Sequence, residues 1–282
     1  MPSAHRTLRL AVVGHVEHIT LGRVPAPPAP GDIAHLEHPF SFPGGGGGVA
    51  LLQLAKSPAE VHVFTAIGSG EAGREVEAGL ADLGVIVHAA RREEPHTRDL
   101  VLVNPDGERT ILVVGEPLHP RREDPLPWEL LAACDAVYFT AQDPAVLRAC
   151  RAARLLALTA RRRDALTASG VRADLVLGSA HDPREAWALA EYAVRPGAVV
   201  LTEGARGGVI ATAAGAERFP APPPPRITGA AYGCGDSFAA ATVFYLAAGL
   251  PLREACTRAG PHGAAILTGL DPRKTQLPLA LP

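Results

Sequence analysis

Short apolar runs separated by helical stretches are the feature that most restricts how this chain folds. Leu10-Ala11-Val12-Val13 comes first, followed by an apolar helical pattern over residues 49–54, the run Val61-His62-Val63-Phe64-Thr65 and a second helical pattern over residues 71–83. This is βαβ order, which parallel strands impose because a crossover must carry the chain back to the same end of the sheet. The alternation resumes with Ala136-Val137-Tyr138-Phe139, Leu155-Leu156-Ala157-Leu158, Leu175-Val176-Leu177 and Ala198-Val199-Val200-Leu201, set apart by Ala- and Arg-rich segments that read as helices. The pattern predicts an α/β fold with a doubly wound, mainly parallel sheet, in a single domain over residues 1–282.

Two regions depart from it. Residues 19–42 and 85–114 show strand alternation and turn signals in place of helices, as at Asn104-Pro105-Asp106-Gly107 between two β-rich runs. Insertions beside the carboxyl ends of early strands lie over the crevice where doubly wound sheets bind ligands, so a small β-sheet lid is expected. The run Pro220-Ala221-Pro222-Pro223-Pro224-Pro225 follows an apolar strand at Val209-Ile210-Ala211 and precedes a helix signal, which makes it a stiff surface loop inside the domain.

Composition narrows the partners. With 27 Lys and Arg against 29 Asp and Glu in 282 residues, no strong field favours nucleic acid or an anionic membrane, and a small molecule is the expected partner. No apolar stretch reaches the roughly 20 residues needed to span a bilayer, and the run after Met1-Pro2-Ser3-Ala4-His5-Arg6 is too short for a secretory signal, so a cytoplasmic protein is expected. Cys134, Cys150, Cys234 and Cys256 lack metal or disulfide-scaffold spacing and read as reduced thiols. His15-Val16-Glu17-His18 lacks the i,i+4 pairing of a helical zinc site.

The segment with chemical potential is Tyr232-Gly233-Cys234-Gly235-Asp236-Ser237-Phe238, which opens a strong helix closed by Gly249. A helix start gathers unpaired N–H groups and the positive end of the helix dipole, and glycines let a phosphate come close to the main chain. Asp236 has two readings there, a helix cap or a base that takes the proton of an attacking hydroxyl while the N–H groups of Gly233, Cys234 and Gly235 hold the transferring phosphoryl group.

Gly233-Cys234-Gly235-Asp236-Ser237-Phe238 with its small-residue helix resembles the second signature of the ribokinase-like (PfkB) carbohydrate kinases. The first signature is echoed at Pro43-Gly44-Gly45-Gly46-Gly47-Gly48-Val49-Ala50, and a third echo is Ile67-Gly68-Ser69-Gly70-Glu71-Ala72-Gly73-Arg74. In order and spacing these cover nearly the whole chain. The resemblance implies a ribokinase-like α/β domain with a β-lid, transfer of the γ-phosphate of ATP to a hydroxyl of a sugar-like molecule, Asp236 as base and an anion hole at Gly233, Cys234 and Gly235. It also implies substrate contact at Gly44, Gly45 and Gly46. Thr202-Glu203-Gly204-Ala205-Arg206-Gly207 is similar to the family's nucleotide-phosphate turn, pointing to Thr202, Gly204 and Gly207 for ATP, although an ordinary Gly-rich hairpin would read the same way. Gly260-Pro261-His262-Gly263 falls where such kinases wall the adenine pocket and equally suits helix packing. The resemblance is compatible with a homodimer through exposed lid strands.

Four departures bear on function. Ala230-Ala231 replaces an Asp-Thr pair whose carboxylate helps hold a monovalent cation, which weakens the case for potassium activation. Gly46 and Val49 stand where the family carries Lys and Asn. Its early substrate Asp aligns with the apolar Ile19, but strand alternation lets Glu17, two residues earlier, face the same way, so that Glu17 with His18 reads either as the hydroxyl acceptor or as a solvated strand end. The family's Asn-x-x-Glu, which orders magnesium, falls at Ser179-Ala180-His181-Asp182. Asp182 is its remaining carboxylate, either a partner of the Mg2+ that ATP brings or a cap before Pro183.

Three functions follow: a sugar kinase, a kinase of a nucleoside or other non-sugar alcohol, and a non-catalytic ligand-binding descendant. A nicotinamide-dependent dehydrogenase is excluded because no G-x-G-x-x-G follows the first strand.

Overall fold

A computed structural model describes residues 6–282, so the reading of the first five residues lies outside the described part. Strand β1 (Arg9–Val13) shows how the core divides. Successive strand side chains point to opposite faces. Leu10 and Val12 accordingly join one apolar cluster, while Ala11 and Val13 join another. A strand buried on both faces needs helices on both sides of the sheet.

The chain leaves β1 for the lid strands β2 (Glu17–Arg23) and β3 (Glu37–Gly44), then enters α1 (Gly45–Leu54) and returns through β4 (Glu60–Ser69), α2 (Gly70–Ala81) and β5 (Ile86–Pro95). A second excursion forms β6 (Arg98–Val103) and β7 (Arg109–Val114). Thereafter β8 (Ala136–Phe139), α3 (Pro144–Cys150), β9 (Leu155–Thr159), α4 (Arg163–Ser169) and β10 (Leu175–Ser179) continue the winding. Strands β11 (Ala198–Thr202), β12 (Gly208–Thr212) and β13 (Gly215–Phe219) complete the sheet, and α5 (Cys234–Ala247), α6 (Leu252–Ala265) and α7 (Pro272–Thr275) close the chain. The nine-stranded sheet has the order β13-β12-β11-β10-β9-β8-β1-β4-β5. It is parallel from β11 to β5, with β12 and β13 added antiparallel at one edge.

The lid is a four-stranded sheet of order β3-β2-β6-β7, two antiparallel hairpins joined by a parallel β2–β6 pair. It starts later than the expected second insertion at residue 85. Residues 86–95 form β5, which pairs in parallel with β4, because α2 is a full crossover and returns the chain in the β4 direction. The first insertion runs from Glu17 through Gly44, wider at both ends than the expected 19–42. Asn104 closes the β6–β7 turn, its side chain accepting from the Glu108 N–H at 2.9 Å.

One expected helix is missing. Between β10 and β11 the Ala-rich stretch holds only the short 3-10 turn Leu189–Glu191. Tertiary contacts override its helical propensity. Arg161 and the Ser179 N–H take the Glu185 carboxylate, and the Arg163 guanidinium lies 3.6 Å from the centre of the Trp187 ring. Helix α5, by contrast, is buried from Ser237 through Tyr245 and packs along the sheet between α1 and α6. Its start is thereby fixed against the carboxyl ends of the strands. No described helix is long and apolar enough to cross a membrane.

Candidate active site

Gly233 is the N-cap of α5 and adopts φ 90°, a left-handed conformation that a side chain would strain. A Cβ there would also lie 2.7 Å from Val49 Cγ1, so α1 and α5 meet closely only over glycine. At Gly235 a Cβ would meet nothing within 4 Å, which leaves open space directly above the first turn. No side chain caps the helix, so Asp236 stands in its first turn without acting as a cap. Apart from a long bond of the Cys234 N–H to the Ala231 carbonyl at 3.5 Å, the opening N–H groups keep their need for an acceptor, concentrated at the positive end of the dipole.

Asp236 is half-buried. Burial, reinforced by the Glu185 carboxylate and opposed by Arg161 and Arg109, pushes its carboxyl pKa up to about 7. A carboxyl that titrates there exchanges a proton near neutral pH, as a general base must. Cys234 beside it is no nucleophile, because burial pushes its thiol up to about 12.

Opposite Asp236 lies the glycine run. The helix begins at Gly45, so these glycines form the first turn of α1 rather than a free loop before it. Gly45 has φ 74°, and a Cβ on it would overlap the Glu17 carboxylate; one on Gly47 would overlap the His15 carbonyl. A Cβ on Gly46 would lie 3.4 Å from Asp236 Oδ1 and 3.8 Å from His15 Cε1. The backbone at residues 44–47 thus runs between the base and the wall behind it. Tyr232 fixes this turn, its buried hydroxyl accepting from the Gly45 N–H at 3.0 Å.

Glu17, His15, Asp99 and Arg162 form that wall. Glu17 shares the inward face of β2 with Ile19, as period-two spacing requires, and Asp99 faces inward from β6, where it is paired in register with Ile19. Burial raises both carboxyl pKa values, and for Glu17 the Asp99 carboxylate adds to the effect. His15 Nε2 is 3.9 Å from Glu17 Oε1, and the His15 and His119 rings meet edge to face at 5.0 Å. His18 does not join them. It points to the other face of β2, where Nε2 lies 2.5 Å from Glu75 on α2, so the expected Glu17 and His18 pair is replaced by Glu17 with His15 and Asp99. A cavity of about 970 Å³ opens beside this wall and shares His119 with it.

On the other side, Thr202 ends β11 and Gly204 and Gly207 lie in the β11–β12 turn. Gly207 has φ 80°, and a Cβ on it would overlap the Phe219 carbonyl of β13, so the hairpin itself accounts for this glycine. Gly204 approaches His181 of the β10 loop. Gly263 similarly serves α5–α6 packing, since its Cβ would lie 2.9 Å from the Cys234 carbonyl. Asp182 is held by Arg161 at 2.6 Å and by Arg184 at 3.1 Å, and one of its oxygens accepts the Arg184 N–H. It neither caps a helix nor leaves a free carboxylate for magnesium. Glu185, three residues on, is the carboxylate whose charge reaches Asp236. No three His, Cys, Asp or Glu among the described residues form a metal-holding group.

Sequence reading did not single out His15, Asp99, Arg162, Tyr232 or Glu185. His15 directly follows the glycine that ends β1, and Asp99 keeps the inward alternation of β6, two signals present in the sequence. The pairing of Glu17 with Asp99 depends on the β2–β6 register, which no local signal encodes.

The chain matches the family model described as pfkB family carbohydrate kinase over residues 7–194 and 164–276. No curated protein matches it. Among solved structures it is similar to a putative ribokinase from Agrobacterium tumefaciens, with 18% identity, 96% of this chain and 94% of that one covered, and a TM-score of 0.80. It is also similar to adenosine kinase from Sinorhizobium meliloti, with 17% identity, coverage of 95% and 96%, and a TM-score of 0.76. Phosphofructokinase-2 from Escherichia coli gives 16% identity, coverage of 93% and 94%, and a TM-score of 0.74. At these identities the likeness is one of fold.

Proposed function

The chain belongs to the pfkB family of carbohydrate kinases, and from that premise we propose that this small-molecule kinase transfers the γ-phosphate of ATP to a hydroxyl held between Asp236 and the glycine turn at residues 44–46. The observation that carries the reading is the uncapped start of α5, where a half-buried carboxyl with a pKa near 7 stands beside free N–H groups and open space.

In this reading Asp236 takes the hydroxyl proton as the acceptor oxygen bonds to the γ-phosphorus and the bond to the bridging oxygen breaks, releasing ADP. The N–H groups of Gly233, Cys234 and Gly235 hold the oxygens of the transferring group, and the cationic side chains of Arg161 and Arg109 offset its charge. Glu17, with Asp99 and His15, accepts hydrogen bonds from the acceptor. The turn containing Thr202, Gly204 and Gly207 receives the nucleotide. Magnesium enters with ATP, and no step is assigned to Asp182. We further propose a cytoplasmic location and a homodimer through the lid, whose edge strand β7 exposes Ile111, Leu112, Val113 and Val114.

The reading is tested by ADP release from ATP against a panel of sugars, sugar phosphates, sugar acids and nucleosides. Acceptor-dependent release with at least one of them is expected. Binding of ATP without turnover of any acceptor would favour a non-catalytic descendant.

A further inference from the structure

Two buried glutamines tie the end of the chain to α1. Lys56, just past α1, donates from Nζ to the Arg273 and Gln276 carbonyls at 2.7 Å each, and the Leu279 N–H donates to the Lys56 carbonyl at 3.0 Å. Gln53, within α1, donates from Nε2 to the Leu277 carbonyl at 2.8 Å. These bonds join the tail to one end of α1. Gln276 does more, because its Nε2 donates to the Val49 carbonyl of α1 at 3.0 Å and to the Ser237 hydroxyl of α5 at 2.9 Å. A carbonyl can only accept, so the amide is turned with both N–H bonds in use and Oε1 left over. The Oε1 atoms of Gln276 and Gln53 are alike buried with no partner among the described residues.

Gln276 sits where the two helices meet. Val49 is the residue whose Cγ1 a Cβ on Gly233 would approach to 2.7 Å. It lies one turn beyond the start of α1, and Ser237 directly follows Asp236 in the first turn of α5. There is little slack between the glycine turn and the base, since a Cβ on Gly46 would lie 3.4 Å from Asp236 Oδ1. The contact of valine on glycine between the helices is apolar, and such contacts have no direction. Two hydrogen bonds from one planar amide fix both a distance and a direction.

We propose that Gln276 is a positioning residue, its amide setting the spacing between the start of α5, which carries Asp236, and the glycine turn of α1. This rests on the kinase reading and adds to it a residue that acts only through others. A displacement of about 1 Å between reacting groups costs on the order of 100-fold in rate, so loss of the amide falls on kcat. The nucleotide turn and Glu17 stand on other elements and keep their hold on ATP and acceptor. Gln53 is the matched comparison, a glutamine also buried and tied to the same tail, whose bond stops at Leu277 and does not reach α5.

The test compares Gln276→Met with Gln53→Met, each of which keeps the length of the side chain and removes its amide. Thermal stability, kcat and KM with an acceptor from the panel, and amide hydrogen exchange of residues 233–238 are measured for both and for the wild type. Both variants are expected to lose stability. Gln276→Met alone should lower kcat, by about 10- to 100-fold, with KM for ATP and acceptor within about threefold. It alone should also speed exchange in the first turn of α5, by about tenfold. Ser237→Ala, which removes one of the two acceptors, should lower kcat by a few-fold and add nothing further in the Gln276→Met background, and it replaces Gln276→Met if the latter does not fold. Loss of stability in Gln276→Met at wild-type kcat, or an equal loss of kcat in Gln53→Met, would overturn the proposal and leave the kinase reading intact. If the wild type turns over no acceptor, the kinase reading fails and exchange decides alone. Faster exchange in Gln276→Met but not in Gln53→Met would then support the spacing role, and equal exchange in all three chains would contradict it.

Discussion

The first turn of α5 takes its four residues from one stretch of chain, whereas the wall facing it draws Glu17 from β2, Asp99 from β6, His15 from the end of β1 and Arg162 from the end of β9. The two regions obey different physics. Backbone makes the first, through a left-handed glycine, the N–H groups of a helix start and a helix dipole, and Gly233 there accepts no side chain without strain. Side chains make the second, brought together by sheet register. On the proposed reading, the α5 turn handles phosphate and the wall sets the preference for the acceptor.

The sharpest break between the regions is at Asp236. Asp236→Asn is expected to lower kcat by roughly two to four orders of magnitude, as loss of a general base does. The same variant should be more stable than the wild type at pH 8. Folding holds the Asp236 carboxyl at about 7, above its value of roughly 4 in an unfolded chain. Its favourable contribution is thus fully present below pH of about 4 and is lost as pH rises through about 7. A neutral amide removes that loss, worth on the order of 1–3 kcal/mol at pH 8, measurable by denaturant unfolding at the two pH values.

On the wall the effects should be smaller and fall on binding. Glu17→Ala is expected to raise the acceptor KM by a few-fold to about tenfold with kcat less affected, since burial holds this carboxyl largely protonated at neutral pH and a neutral hydrogen bond contributes about 0.5–1.5 kcal/mol. An unchanged KM would remove Glu17 from the site. Tyr232→Phe lies between the regions, because its hydroxyl holds the Gly45 N–H at 3.0 Å. Loss of that one neutral bond should cost about 1 kcal/mol, seen as a modest fall in thermal stability and a rise of a few-fold in KM.

What the sequence made legible follows the same division. The apolar runs at residues 10–13, 136–139 and 198–201 announce buried parallel strands, and the glycines at 233 and 235 announce a helix start without a side-chain cap. Both are local properties. Period-two alternation with Ile19 places Glu17 on the inward face of β2, but its partner Asp99 lies 82 residues away and is brought near by the β2–β6 pairing. His18 was misplaced because adjacent strand residues face opposite ways, and its partner on α2 is invisible from β2 alone. Asp182 and the stretch after it were misread for one reason. Three arginines, 161, 163 and 184, capture the acidic and aromatic side chains that would otherwise have served a metal or a helix.

If Asp236 is the base of a phosphoryl transfer, the pH dependence of kcat/KM must carry its titration. With an acceptor found by the panel, wild-type activity should climb through a limb centred near pH 7, the value at which burial holds this carboxyl, and Asp236→Asn should retain neither the activity nor the limb. Substantial turnover by Asp236→Asn with the same rising limb would contradict the account, because the proton would then be leaving by another group.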